Sequence, residues 1–407
     1  MRVRKFYLLL AVLAVLALAL LPFALSAQTP RVSQLRTIVR DAACPPAVGW
    51  IARDTTYQFP TQARLAQHTV LTCVTPPHDT IIVVLPPKDS TPKPPSDTLP
   101  TPPVGSDIVR YWGGINYQKI KTGQWTGDAT AGEPSVRVIC LLTATGSFDP
   151  GVYPGQAKAG HKHAFYGNAG INPSSTPASL ASSGNSTCMG GTANRTGYWV
   201  PCMLMDRGVE QCSDSAIVYY KVGYESDAAN IKEIPAGLFF IGGDKTATSA
   251  QGYAVEWSCD SRYVGAGFIP DCNTDGTDKV ELRIFFPACW NGKDLDSPDH
   301  RSHMAYPIFS NNTNGSKCPS THPYQIPTIT EIFRWKIPAG SNMATWRLTN
   351  ETMTLSASSR GGYGAHADWM NGWDQSIFRT FVVNCLNARK DCQVGFLGDG
   401  RMLDYVP

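Results

Sequence analysis

From about Ile108 to its end, the chain sets short apolar runs between polar, glycine- and proline-rich connections. The runs are VRVICLL (136–142), AIVYYKV (216–222), GLFFIGG (237–243), VELRIFF (280–286), EIFRWKI (331–337) and TFVVNCL (380–386). Each has strand length and is rich in β-branched and aromatic residues, and Gly, Asn, Ser and Pro clusters bound it. Sustained helical periodicity is nearly absent, although ITEIFRWKI (329–337) fits a strand or a helix. The pattern predicts an all-β or β-rich domain, sandwich- or jelly-roll-like, with long loops and few short helices. An α+β domain is the alternative.

Ahead of this domain the pattern changes twice. MRVRKFYLLLAVLAVLALALLPFALSAQTP places Arg2, Arg4 and Lys5 before an apolar run that ends in small residues. That is the layout of a secretory signal peptide over 1–27, cut around Ala27–Gln28, with a retained signal anchor as the competing reading. Residues 28–74 read as a small module with one possible disulfide, between Cys44 and Cys73. Ten of the 31 prolines fall within 75–107, which reads as an extended linker. IIVVL at 81–85 is a candidate edge strand within it. The main domain is then 108–407.

Charge narrows the partners. The net charge of +3, with no basic block interleaved with aromatics, sets nucleic acid aside. No later segment is long enough to span a bilayer, so the expectation is a secreted, extracellular or cell-surface protein, monomeric and off the membrane once the leader is removed. Twelve cysteines, an even number, all follow the leader. In an oxidising compartment this reads as disulfides. The spacings of Cys259–Cys272, Cys289–Cys318 and Cys385–Cys392 suggest local bridges; the remaining connectivity stays open.

The candidate chemistry lies in histidine clusters, because GxSxG, HExxH, P-loop and GxGxxG signatures are missing. GHKHAFYGN carries His161 and His163, which on a strand would face the same way. SPDHRSHMAYP carries Asp299, His300 and His303; CPSTHPYQIP carries His322; GYGAHADWMNGWD carries His366 and Asp368. All lie in loops or at strand ends, where a β scaffold usually carries its sites. Two chemistries fit. In one, imidazoles, with His161, His163 and His303 as the candidate ligands, bind a divalent metal that activates water. In the other, a carboxylate such as Asp299 or Asp368 orients a histidine as general acid or base. Trp112, Tyr198, Trp199, Trp290, Trp369 and Trp373, with Asp244 and His322, are candidate contacts for a sugar. Each tryptophan has a competing reading as core, and each histidine as a loop-locking hydrogen-bond partner. DCNTDGTDKVE (271–281) resembles a calcium loop but misses its twelfth position, which leaves an Asp/Gly turn. Sequons at Asn185, Asn194, Asn311, Asn314 and Asn350 mark surface loops if the host glycosylates.

Six ordered motifs, FDPGVYPGQAKAGHKHAFYGN, NRTGYWVPCML, IPAGLFFIGGD, CWNGKDLDSPDHRSHMAYP, CPSTHPYQIP and GYGAHADWMNGWD, resemble a secreted family. It is catalogued as domain-of-unknown-function family nineteen ninety-six, and the resemblance covers about 108–402. It implies extracellular placement and disulfides, and supplies no reaction. It marks His161, His163, Asp244, Trp290, Asp296, Asp299, His300, His303, His322, His366 and Asp368. The chain departs from the family at Phe148, where a basic residue is common. The leading expectation is a protein acting hydrolytically on polysaccharide or cell-wall glycan through a His/Asp site. The rivals are a non-catalytic glycan-binding module and a disulfide-stiffened surface protein with structural loops.

Overall fold

A computed structural model describes residues 50–58, 65–73 and 101–405, except 124, 131–132, 224–227, 310–315 and 354–358. The chain divides into two units, Met1–Lys93 and Pro94–Pro407. In the first, Trp50–Gln58 and Leu65–Cys73 form an antiparallel hairpin that pairs Trp50 with Cys73 and Gln58 with Leu65. The leader, Cys44, most of the proline linker and IIVVL lie outside the described residues.

The second unit is organised by Ser135–Gly146, whose alternating sequence buries Val136, Val138 and Cys140 on one face. It pairs with His163–Gly167 on one side and Ser215–Lys221 on the other, and so sits mid-sheet. The sheet has 11 strands. Its main path runs Phe239–Gly243, His366–Met370, Gly197–Pro201, His163–Gly167, Ser135–Gly146, Ser215–Lys221, Thr328–Lys336, Lys279–Phe285, Val255–Cys259 and Arg262–Ala266, with Val109–Arg110 added beside Ser135–Gly146. All its ladders are antiparallel.

This sheet curls back on itself. Phe239–Gly243 and Lys279–Phe285 are seven places apart in strand order, about 33 Å in a flat sheet. Yet the rings of Phe240 and Phe286 lie 5.5 Å apart. Gly242 permits the approach: a Cβ there would lie 2.9 Å from Ile284 and Phe286 side-chain atoms. The fold is therefore β-rich, as the apolar pattern predicts, and its helices are few and short.

The wing that carries the site departs from simple alternation. His163–Gly167, Gly197–Pro201, Phe239–Gly243 and His366–Met370 are buried at every position, so both faces of this wing are covered. One face sends Ala164, Tyr166, Tyr198, Val200, Phe240, Ala367 and Trp369 into the main core. The other sends Phe165, Trp199, Phe239, Ile241 and Met370 into a smaller cluster with Phe148, Ile171 and Leu180. Strand alternation puts His163, His366 and Asp368 on this second face.

Five disulfides tie the unit together. Cys259–Cys272, Cys289–Cys318 and Cys385–Cys392 are the local bridges that the spacing suggests. Cys140–Cys188 and Cys202–Cys212 are the other two. TFVVNCL is not a strand. Asp374 caps Gln375–Phe381 by accepting from the Ser376 and Ile377 amides, and a π-helical segment, Val382–Asn387, continues it. Ile377, Phe378, Phe381, Val382, Cys385 and Leu386 fall on one buried face at helical spacing. Among the described residues, no helix is long and apolar enough to cross a membrane.

Candidate functional site

The site forms at one end of the second face, where two strands each supply a pair of polar residues two positions apart. His163 opens one strand, with His161 two residues ahead of it, and His366 and Asp368 come from another. Gly197–Pro201 lies between them: His163 pairs with Pro201 and Asp368 with Trp199. The rings of His161 and His163 are 4.1 Å apart, His161 and His366 5.0 Å, and His163 and His366 6.1 Å, centroid to centroid.

Backbone carbonyls fix two of these rings. His163 Nδ1 lies 3.0 Å from the Phe148 carbonyl, and His366 Nδ1 lies 3.0 Å from that of Gly364. A carbonyl only accepts, so each Nδ1 carries the proton and each Nε2 keeps its lone pair. The Nε2 atoms of His161 and His163 are buried without a hydrogen-bond partner among the described residues. Burial drives all three imidazoles toward the neutral form: His161 is lowered to about 3, and His163 and His366 fall well below the usual histidine value. Mutual repulsion between the rings adds to burial for His163 and His366. Phe148 serves here through its main chain, while its side chain stacks on Phe165 at 4.2 Å. The departure from a basic residue at this position therefore leaves the His163 anchor intact.

Two carboxylates complete the cluster. Asp149 Oδ1 accepts from the amides of Gly151 at 3.0 Å and Val152 at 2.9 Å. Asp368 is fully buried, and neither of its oxygens has a donor among the described residues. Burial pushes both carboxyls up, and for Asp368 the nearby Asp149 charge adds to the effect. Ligand atoms of His161, His163 and His366 lie within 4.8 Å of one another, as do those of Asp149, His163 and Asp368. Atoms bound at about 2.1 Å to one ion lie at most about 4.2 Å apart, so a small closure would bring either triad to coordination. Both triads contain His163.

Cations border the cluster. Lys245 Nζ approaches Tyr153 Oη at 3.4 Å, and Tyr153 N–H donates to the Asp149 carbonyl at 2.9 Å. Arg301 donates from Nη1 to the Gly243 carbonyl, and Gly243 pairs with His366. His300 has a left-handed backbone at φ 57°, uncommon for a residue with a Cβ. Its Nδ1 lies 3.0 Å from Asp296, its ring packs 5.6 Å from that of Phe239, and its charge would help to ionise Asp149.

Four of the expected groups, His161, His163, His366 and Asp368, thus meet. Other expectations need correction. His303 is not a ligand with them, because both its nitrogens are engaged: Nδ1 lies 2.8 Å from Ser297 Oγ, and Nε2 lies 2.8 Å from the Phe239 carbonyl. It pins the 294–304 loop to the sheet edge. Asp299 caps that loop, accepting from Ser297 Oγ, Ser302 Oγ and the Arg301 and Ser302 amides, and these donors hold its carboxyl well below the usual range. His322 lies in an exposed turn between Thr321 Oγ1 and the Ser302 carbonyl. Asp244 accepts from the Thr246 amide and hydroxyl.

The aromatic platforms also need correction. Tyr198, Trp199, Trp369 and Trp373 are buried; Trp369 and Trp373 donate their indole N–H to Tyr220 Oη. They are core, and sugar cannot stack on them. Only Trp112 and Trp290 remain half-exposed, and the Trp290 indole N–H is spent on the Asp294 carbonyl at 2.6 Å. The acidic groups at 271–281 are already engaged: Asp278 accepts from Ser261, Asn273 and Lys279, and Asp271 pairs with Arg360. Asn194 and Asn350 are buried and hydrogen-bonded, so those two sequons are not surface loops. Asp149, Tyr153, Lys245 and Arg301 were missed. FDPG reads as a turn, and nothing local distinguishes the two cations from solvated ones.

A β-rich domain with a buried His/Asp cluster at one sheet end is the class that these observations define. The chain belongs to the family described as domain of unknown function (DUF1996), whose model matches residues 149–373, from Asp149 through the whole cluster. No curated protein and no solved structure matches it.

Proposed function

We propose that this is a secreted, metal-dependent hydrolase acting on polysaccharide or another cell-wall glycan. His161, His163 and His366, with Asp149 or Asp368, would hold the ion. The observation that carries the reading is Asp368, a fully buried carboxylate whose oxygens have no donor among the described residues, beside imidazoles with unused Nε2 lone pairs. An unpaired buried carboxylate costs several kcal/mol, which coordination would offset. Mixed imidazole and carboxylate donors suit Zn²⁺, Mn²⁺ or Cu²⁺. When bound, such an ion supplies Lewis acidity and lowers the pKa of coordinated water.

The chain's own groups then have defined tasks. The Phe148 and Gly364 carbonyls keep His163 and His366 in the tautomer that offers Nε2. Asp149, tethered through Oδ1 by two amides, has Oδ2 left to take a proton from water. Half-buried His161 marks the solvent side of the cluster. The glycan assignment rests on compartment: the leader and five disulfides support release into an oxidising exterior, where polysaccharide is an abundant substrate.

Metal analysis of the purified protein, joined to a reducing-end screen over polysaccharides, tests this. The expected result is product formation that chelation abolishes and that His163→Ala eliminates with its disulfides and circular dichroism intact. Bound metal and bound glycan without product would make the protein a binding module. A protein that takes up no metal would end the proposal.

A further inference from the structure

The charge around the cluster says what kind of glycan would fit, and this step rests on the metal reading above. The geometry points to an acidic glycan, held through carboxylate or sulfate groups by Lys245 and Arg301. Lys245 and Arg301 border the cluster, and Asp244, whose ionisation both favour, hydrogen-bonds to Thr246 rather than to either.

Neither cation forms an ion pair among the described residues. Both are half-buried, and neither is held by an acid: the Lys245 ammonium lies against Tyr153, and Arg301 Nη1 on the Gly243 carbonyl. Asn350 Nδ2 ties the Lys245 carbonyl to that of Gly364, which is the carbonyl that orients His366. Arg301 spends Nη1 on the Gly243 carbonyl, opposite His366 in the ladder. The rest of its guanidinium edge makes no other hydrogen bond among the described residues. Asp296 is engaged by His300. A guanidinium and an ammonium on one rim match planar or tetrahedral oxyanions. Of the platforms a neutral sugar would use, Tyr198, Trp199, Trp369 and Trp373 are in the core, and Trp112 and Trp290 are only half-exposed.

Binding of the full-length, metal-loaded protein to three probes separates the cases: oligogalacturonate, the same oligomer with its carboxyls reduced to alcohols, and a sulfated galactan oligomer. Wild type is compared with Lys245→Gln, Lys245→Arg and Arg301→Gln, with metal content and thermal unfolding recorded for each. We expect binding to one or both acidic probes and not to the reduced one. Lys245→Gln should weaken it about tenfold, Lys245→Arg should retain most of it, and added salt should weaken it in wild type. A preference between carboxylate and sulfate identifies which anion the rim takes. Equal affinity for the reduced oligomer, an unchanged Lys245→Gln, or no binding to any probe would overturn the inference. Acidic binding that survives in a protein unable to hold metal would sink the metal reading and leave this one standing; normal metal content without charge preference would do the reverse.

Discussion

His163 and His366 place their rings 6.1 Å apart across the strand that ends at Pro201, and each gives its Nδ1 proton to a backbone carbonyl. Two imidazoles from distant parts of the chain are thus held in one tautomer with the same nitrogen to offer. His303 looks equivalent in sequence, but both its nitrogens are occupied.

That contrast yields the first prediction. His163→Ala should lower metal affinity by more than about a hundredfold, since even an outer-shell partner is worth 10–100-fold. His303→Ala should leave affinity within a few-fold and lower unfolding stability by about 1–3 kcal/mol, because it orphans the Phe239 carbonyl. Calorimetric metal titration and chemical denaturation of both variants check this. Equal metal loss in the two would place His303 at the ion.

Glu351 acts at one remove. It is buried, its Oε1 accepts from the Gly364 amide at 2.8 Å, and the Gly364 carbonyl in turn holds His366. Glu351→Gln should weaken metal binding about tenfold to a hundredfold, because the loop that sets the His366 ring loses a charged anchor. A structural role alone would move only the unfolding midpoint. The two are told apart by metal affinity measured well below that midpoint.

Glu331 gives the pH dependence. It is fully buried on the inner face of Thr328–Lys336, and neither of its oxygens has a partner among the described residues. Burial raises its pKa well above the usual carboxyl range, and the Asp368 charge adds to this. A raised folded value means that its contribution is fully present below the unfolded pKa of about 4.3 and is lost as pH climbs through the folded one. Each unit in that window costs about 1.4 kcal/mol. Glu331→Gln should therefore match wild type near pH 4 and exceed it in stability at pH 7 to 8. Denaturation midpoints of both proteins across that range measure it; a constant difference would show that Glu331 finds a partner.

What the sequence disclosed follows from which signals are local. The first half of Ser135–Gly146 alternates, and Thr328–Lys336 carries the same β-branched and aromatic bias, so strands there were legible. In the wing that holds the site the signal fades, because HAFYG, GYWVP, FFIGG and HADWM are buried on both faces. Their tryptophans and tyrosines consequently look like ligand platforms and turn out to be core. TFVVNCL has strand composition, but Asp374 starts a helix ahead of it, and the apolar spacing from Ile377 onward obeys the helical period. His161, His163, His366 and Asp368 were visible as pairs two residues apart. Their meeting across Gly197–Pro201 is a property of strand order, which no local pattern encodes. Asp149 was hidden in a turn motif, and Lys245 and Arg301 in ordinary loops.

The most direct measurement is divalent-metal titration of wild type and Asp368→Asn, followed by thermal unfolding of each with and without metal. The account predicts stoichiometric metal in wild type and a rise in its unfolding temperature when loaded, worth about 2.7 kcal/mol at a hundredfold excess over Kd. It also predicts that metal-free Asp368→Asn is at least as stable as metal-free wild type, since the cost of burying that carboxyl, which its raised pKa reflects, is gone, and that the variant gains nothing from metal. Wild type that neither binds nor responds to any divalent ion, or Asp368→Asn that is stabilised by metal as strongly as wild type, would contradict it.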